Sequence, residues 1–160
     1  SLSVKMARAK FLNKKQIKEI ISTLDKQWGL KEKDFDYVFL INDKNKIFVI
    51  SQDITEVNFD ALRIDSMGSY FAEQKNNELR LSIEGSQIIG KIATKNVIEI
   101  SDGLTKLWVR GYDIEVNEYK DKENAFVIVK NKEDFYGCGR LKEGKILNHV
   151  PKSRRIKSED

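Results

Sequence analysis

Cysteine, histidine and proline are scarce in this sequence of 160 residues, which contains one of each. A single cysteine cannot form a disulfide within the chain, and one Cys with one His is too few ligands for a structural zinc site. The sequence also lacks a run of about 18 apolar residues and a signal-peptide pattern. We therefore expect a soluble, cytoplasmic protein with no metal site, no membrane span and no cofactor.

Catalytic motifs are missing as well. Cys138 and His149 are the candidates for a nucleophilic pair, but Cys138 lies between two glycines, where a half-buried structural thiol is the simpler interpretation. The Gly137-Cys138-Gly139 run lacks the Lys-Ser/Thr of a phosphate-binding loop, and the carboxylates are scattered. The sequence therefore predicts no catalytic residue and no enzyme, with a small enzyme that uses Cys138 or His149 as an alternative.

Charge is distributed unevenly along the chain. Residues 1–18 hold six basic and no acidic side chains, residues 140–160 hold seven basic and three acidic ones, and the middle holds 16 basic and 22 acidic ones. The net charge of +4 thus lies at the two ends. Lys14, Lys15 and Lys18 fall in or near the first turn of a predicted helix, where they oppose the helix dipole. Basic ends serve either an anionic partner or solvation, and both interpretations stay open.

The first half of the sequence predicts helices and hairpins. Asn13 and Gln16 form a capping-box pattern, and apolar residues at helical spacing from Ile17 to Trp28 predict an amphipathic helix that ends at Gly29. Residues 36–41 and 46–51 predict one hairpin, and residues 68–73 and 78–83 predict another. A short helix over residues 54–62 and a helical turn over residues 87–91 complete this half.

The second half predicts short strands with glycine turns. The predicted strands are residues 97–100, 106–109, 113–116, 125–130, 136–139 and 146–149, and the predicted turn glycines are Gly103, Gly111, Gly137, Gly139 and Gly144. Closely spaced short strands with such turns are typical of a small barrel. The expected fold is α+β, with an N-terminal α/β domain over residues 1–91 packed on a C-terminal β-pseudobarrel over residues 92–160.

Several motifs in this order resemble a PUA domain, a small RNA-binding pseudobarrel. They are residues 95–100, then Leu107-Trp108-Val109-Arg110-Gly111-Tyr112-Asp113-Ile114, then residues 125–129 and 136–139. The N-terminal half, with its segments 66–71 and 78–83, resembles the pre-PUA domain of Nip-seven-like ribosome-biogenesis proteins. Residues 144–156 resemble the end of PUA-like segments associated with Sun-type RNA cytosine-C5 methyltransferases.

The resemblance implies RNA binding in rRNA or tRNA modification and ribosome biogenesis. Two departures stand out: residues 101–104 (Ser-Asp-Gly-Leu) replace a proline-glycine turn common in PUA domains, and no S-adenosylmethionine site or catalytic cysteine motif is present. Any methylation would therefore be performed by a partner.

We expect a non-enzymatic RNA-binding protein whose partners are rRNA or tRNA and an RNA methyltransferase or ribosome-assembly factor, with no membrane partner. Lys and Arg neutralise phosphates, and turn glycines let an RNA backbone approach closely. The expected RNA-binding residues are Lys106, Arg110, Gly111, Arg140, Lys142, Lys145, Lys152, Arg154 and Arg155. The alternative is a protein adaptor that docks a methyltransferase or a ribosome-assembly factor while its basic ends are solvated.

Overall fold

The first half of the chain packs a helix against an antiparallel sheet. The computed structural model describes residues 9–51 and 68–157. In this half the elements are β1 (Lys10–Phe11), α1 (Lys14–Trp28), β2 (Tyr37–Ile41), β3 (Lys46–Ser51), β4 (Ser69–Lys75), β5 (Glu78–Leu81) and α2 (Ile83–Gly90). The strands pair in the order β1-β2-β3-β4-β5. The predicted helix over residues 54–62 lies outside the described residues.

Helix α1 forms as its capping box and apolar spacing predict. The Asn13 Oδ1 accepts from the Gln16 backbone N–H at 2.9 Å, and the Gln16 Oε1 accepts from the Asn13 N–H at 2.9 Å. Ile20, Leu24 and Trp28 are buried, and the helix ends at Gly29. Lys14, Lys15 and Lys18 are exposed along its beginning. The predicted helix is confirmed.

Both predicted hairpins are also confirmed, and asparagines shape their turns. The Asn42 Oδ1 accepts from the backbone N–H groups of Lys44 and Lys46, both at 2.9 Å. Asn76 and Asn77, between β4 and β5, have φ values of 53° and 63°. Asparagine tolerates this left-handed region better than other residues with a Cβ, and two such residues suit a two-residue hairpin loop.

A side chain of helix α1 forms hydrogen bonds with the backbone of the edge strand β5. The Gln27 Nε2 donates to the Leu79 carbonyl at 2.9 Å, and the Leu79 N–H donates to the Gln27 Oε1 at 2.8 Å. One amide side chain of α1 therefore satisfies both backbone groups of a strand residue. The predicted turn over residues 87–91 belongs to the longer helix α2, whose N-cap Ser82 Oγ accepts from the Gly85 N–H at 2.9 Å.

The second half of the chain is a curled sheet with one helix. Its elements are β6 (Val97–Glu99), α3 (Asp102–Val109), β7 (Ile114–Glu115), β8 (Phe126–Asn131), β9 (Asp134–Lys142) and β10 (Lys145–Asn148), with short 3-10 helices at Lys120–Lys122 and Lys152–Arg154. The strand order is β6-β8-β9-β10-β7, and β6 runs parallel to β8. Together the two sheets and the helices form the expected α+β fold. Across the described residues, no helix is long and apolar enough to cross a membrane.

One predicted strand, residues 106–109, is wrong because these residues end helix α3. The Ser101 Oγ caps this helix by accepting from the Leu104 N–H at 3.2 Å, and Trp108 is buried. The Leu-Trp-Val run favours a strand by propensity, but propensity yields to the cap and to the burial of one helix face. Gly103 therefore lies in a helix and not at a turn, and Gly137 and Gly139 lie inside β9.

The two faces of the central strands β8 and β9 pack on two different cores. Phe126, Ile128 and Cys138 join a core that also contains Leu24 and Phe71 from the N-terminal half. Their neighbours Val127, Val129 and Leu141 instead pack with Trp108 and Ile146. Successive strand residues point to opposite faces, so one sheet serves two cores. Each fully buried large apolar side chain contributes roughly 1.5–3 kcal/mol. The predicted boundary near residue 92 stays a prediction.

Candidate nucleic-acid interface

In the turn after α3, the backbone of Gly111 and the side chain of Arg155 lie close together. Gly111 has a φ of +98°, and a Cβ built on it would collide with the Cδ, Nε and Cζ of Arg155. Arg155 is held there because its Nε donates to the Val150 carbonyl at 3.0 Å. The next residue, Ile156, donates its N–H to the Val109 carbonyl at 2.8 Å. The C-terminal segment, residues 151–157, is therefore docked on the end of α3, and we call it the tail.

Basic and aromatic side chains surround this contact. Lys106 and Arg110 are both exposed and four residues apart, so they share one side of the helix end. Tyr112 is 58 % exposed, and its loop is fixed because the Asn148 Nδ2 donates to the Tyr112 carbonyl at 3.0 Å. We call Lys106, Arg110, Gly111, Tyr112 and Arg155 the helix–tail surface.

The remaining basic residues of the C-terminal segment lie next to this surface. Lys152 begins the short 3-10 helix and is exposed. Arg154, also exposed, forms an ion pair with Glu84 of α2 at 2.6 Å between Nη1 and Oε1. This pair ties the tail to the N-terminal half of the chain and compensates part of the charge of Arg154.

Three other predicted residues lie on the opposite face of the second sheet. Arg140 and Lys142 alternate with Gly139 and Leu141, which face Trp108, and Lys145 is the cross-strand partner of Lys142. The alternation of side chains puts Arg140, Lys142 and Lys145 on the side away from α3. The structure thus divides the nine predicted residues into two groups.

Arg140 is the most firmly placed member of the second group. Its Cζ lies 4.1 Å from the centre of the Phe126 ring, and its Nη1 donates to the Asn124 carbonyl at 2.8 Å. Its Nη2 is 3.9 Å from the Glu78 Oε2 of the β4–β5 hairpin. The guanidinium therefore lies where the two halves of the chain meet.

Sequence reasoning missed Arg80, which faces Arg140 and His149 from β5. The Arg80 Nη2 is 2.7 Å from the Glu73 Oε2, and its Nη1 is 3.4 Å from the His149 Nδ1. Glu73 and Arg80 are cross-strand partners in the second hairpin, so a correct register would have paired them. Burial, then the nearby Arg80 and Arg140, lowers the pKa of His149 below its usual range.

Cys138 is not placed as a nucleophile. It is fully buried and not half-buried as expected, and this burial raises the pKa of its thiol to about 12. The thiolate is the reactive form of cysteine, so a thiol with this pKa is inert at neutral pH. The backbone of the neighbouring Gly139 lies close to the Trp108 ring, because a Cβ built on Gly139 would be 2.9 Å from the Trp108 Cη2. Over residues 9–51 and 68–157, no three His, Cys, Asp or Glu side chains are grouped as a metal site.

Comparison with known proteins finds a family match and a solved structure of similar fold. Residues 95–156 match the family model of the methyltransferase RsmF PUA domain. A solved structure of similar fold is that of hypothetical protein PH0734.1 from the hyperthermophilic archaeon Pyrococcus horikoshii OT3. It is 18% identical with a TM-score of 0.52, over 85% of this chain and 83% of that chain. No curated protein matches the sequence.

The family match covers the elements from β6 to the docked tail, including α3, Gly111 and Arg155. It confirms the predicted PUA domain and its relation to Sun-type methyltransferases. A PUA domain binds RNA and is not itself catalytic. Residues 95–156 of this chain are therefore similar to the PUA domain of the methyltransferase RsmF.

Proposed function

We propose that the protein is a non-enzymatic, cytoplasmic RNA-binding factor in rRNA or tRNA modification or ribosome biogenesis, acting as an accessory to an RNA methyltransferase. The PUA domain at residues 95–156 carries the proposal. Within it, the helix–tail surface combines three cations, one of which (Arg155) packs directly against Gly111, with an exposed aromatic ring. This combination suits contacts with the phosphates of an RNA backbone.

The test is the salt dependence of RNA binding. We expect Lys106→Ala/Arg110→Ala to flatten the slope of log K against log salt concentration by about one to two, because each phosphate contact releases close to one counterion. Arg155→Ala should flatten it by about one more. Binding of a tRNA is followed by fluorescence anisotropy over a salt series.

The control variant removes the same charge elsewhere. Lys26 and Lys44 are exposed lysines of the N-terminal half, and Lys26→Ala/Lys44→Ala should leave the slope unchanged. Equal slopes for the parent and for Lys106→Ala/Arg110→Ala would remove the helix–tail surface from the RNA site.

A protein adaptor is the second candidate, favoured by apolar exposure beside the same surface. Leu107 is 40 % exposed and Ile156 is 61 % exposed. Such side chains gain more from contact with a methyltransferase or assembly factor than from contact with phosphate. Affinity capture with and without nuclease separates the candidates, because an adaptor retains its protein partner after nuclease and recovers no RNA.

A further inference from the structure

A cleft separates the β4–β5 hairpin from the PUA sheet, and Arg154, which adjoins the helix–tail surface, is among the residues that line it. Two adjoining cavities of about 130 and 220 Å³ form it, and both are lined by Glu73, Arg80 and His149. Cavities of this size admit a single small group and exclude a duplex. The cleft lies on the face of the second sheet that carries Arg140.

One wall of the cleft is a flat guanidinium on an aromatic ring. The Arg140 Cζ lies 4.1 Å from the centre of the Phe126 ring. The guanidinium also donates to the Asn124 carbonyl and forms an ion pair with Glu78. About 31% of the Arg140 side chain remains exposed. An arginine plane held in this way is a stacking platform for a nucleobase, which a lysine in the same place would not be.

The other wall presents oriented donors. The Arg80 Nη2 lies 2.7 Å from the Glu73 Oε2. This ion pair orients the Arg80 guanidinium before any ligand binds. Because Arg80 donates to the His149 Nδ1, the imidazole carries its proton on Nε2, where it is a donor. The lowered pKa of His149 agrees with this neutral form.

The charge of the cleft favours one phosphate. Three glutamates line it, and each is paired with an arginine: Glu73, Glu78 and Glu84. The basic side chains that line it are Lys46, Lys75, Arg80, Arg140 and Arg154. These basic side chains outnumber the three glutamates, and a positive excess in a narrow cleft attracts a single anionic group more strongly than the same charges in open solvent.

We propose that this cleft binds one unpaired nucleotide of the RNA, with its base stacked on Arg140 and its phosphate held by Arg80. The inference rests on the proposed function only in that RNA is the ligand. It adds a preference for unpaired RNA, determined by a site between the two halves of the chain. The helix–tail surface then supplies affinity for backbone, and the cleft selects a flipped or terminal nucleotide.

The experiment compares the affinities of the protein for a single-stranded RNA oligonucleotide and for a perfect RNA duplex of the same length at one salt concentration. Arg140→Lys keeps the charge but removes the stacking plane, so it should weaken binding of the single strand about tenfold. Duplex binding should stay unchanged. The control is Lys26→Ala on the exposed side of α1, outside both surfaces, which should leave both affinities as in the parent.

A measurement on the parent protein covers the case in which Arg140→Lys disturbs the fold. The Nε–H NMR signals of Arg80 and Arg140 should shift on addition of the single strand and not of the duplex. Salt-dependent binding with no such shifts and an unchanged affinity ratio would overturn the cleft while RNA binding stands. Binding of neither RNA would instead overturn the proposed function, and the cleft with it.

Discussion

Gly111 shows how one residue can decide the shape of a surface. Its φ of +98° is unfavourable for residues with a Cβ, and Arg155 occupies the space where that Cβ would be. We expect Gly111→Ala to lower the free energy of unfolding by about 1–3 kcal/mol, through backbone strain and displacement of Arg155. Urea unfolding followed by circular dichroism measures the change.

Gly103 provides the matched control. It lies inside α3, and a Cβ built there would have its nearest contact at 4.0 Å, with the Ser101 Oγ. Alanine favours a helix over glycine, so Gly103→Ala should stabilise the protein by up to about 1 kcal/mol. Equal effects of the two substitutions would contradict the special conformation of Gly111.

At the residue scale the sequence offers candidate residues but not their contacts. Gly111 and the basic residues near it could be singled out because glycine, lysine and arginine suit an RNA backbone. Arg80 could not, since its importance comes from Glu73 across the strand pair and from His149, which is 69 residues away. Such contacts depend on register and docking, which no local pattern reports.

Among the elements, α3 shows how a short helix depends on its N-cap residue, Ser101. The helix spans eight residues, a length at which an isolated helix is marginal in water. We expect Ser101→Ala to lower the free energy of unfolding by about 1 kcal/mol, because the Leu104 N–H loses its acceptor. Thermal or urea unfolding measures the loss, and weaker RNA binding should accompany it.

Ser22→Ala is the control for this substitution. Ser22 is exposed in the interior of α1, where alanine is the better helix former, so stability should stay the same or rise slightly. A loss as large as that of Ser101→Ala would mean that the cap is not the cause.

The predicted elements differ in how strongly local chemistry specifies them. Helix α1 has a capping box, a long apolar stripe and a terminal glycine, and the hairpins have asparagine turns, so each was identified correctly. Helix α3 is short, and its Leu107-Trp108-Val109 run also suits a strand. What makes it a helix is the burial of Trp108 against the sheet, which is a tertiary effect.

The whole molecule is tied together by a core that both halves share. Phe126, Ile128 and Cys138 of the PUA domain pack with Leu24 and Trp28 of α1. We therefore expect the halves to unfold in one transition. The shared core contains Trp28 and the second core of the PUA sheet contains Trp108, and both of these tryptophans, the two in the sequence, are fully buried.

Single-tryptophan variants test this expectation. Trp108→Phe leaves Trp28 as the reporter of the shared core, and Trp28→Phe leaves Trp108 as the reporter of the PUA core. In each variant, the urea midpoint from fluorescence should coincide with that from circular dichroism. Two separated midpoints would show that the halves are independently stable, as the predicted boundary near residue 92 would allow.

The arrangement of the basic residues is the part of the whole molecule that the sequence could not reveal. In the sequence, residues 140–160 form one basic end of the chain. Strand alternation places Arg140, Lys142 and Lys145 on one face of the second sheet, while the tail returns to α3 on the other. Neighbours in the chain thus serve two separate surfaces.

The Gln27 amide on β5 has a consequence for assembly. An exposed strand edge recruits strands from other chains, which leads to sheet extension or aggregation. Here the Leu79 N–H and carbonyl are already bonded by Gln27, so the middle of this edge cannot template a foreign strand. A glutamine on the surface of a helix thereby keeps the hairpin that carries Arg80 from being captured by β-augmentation.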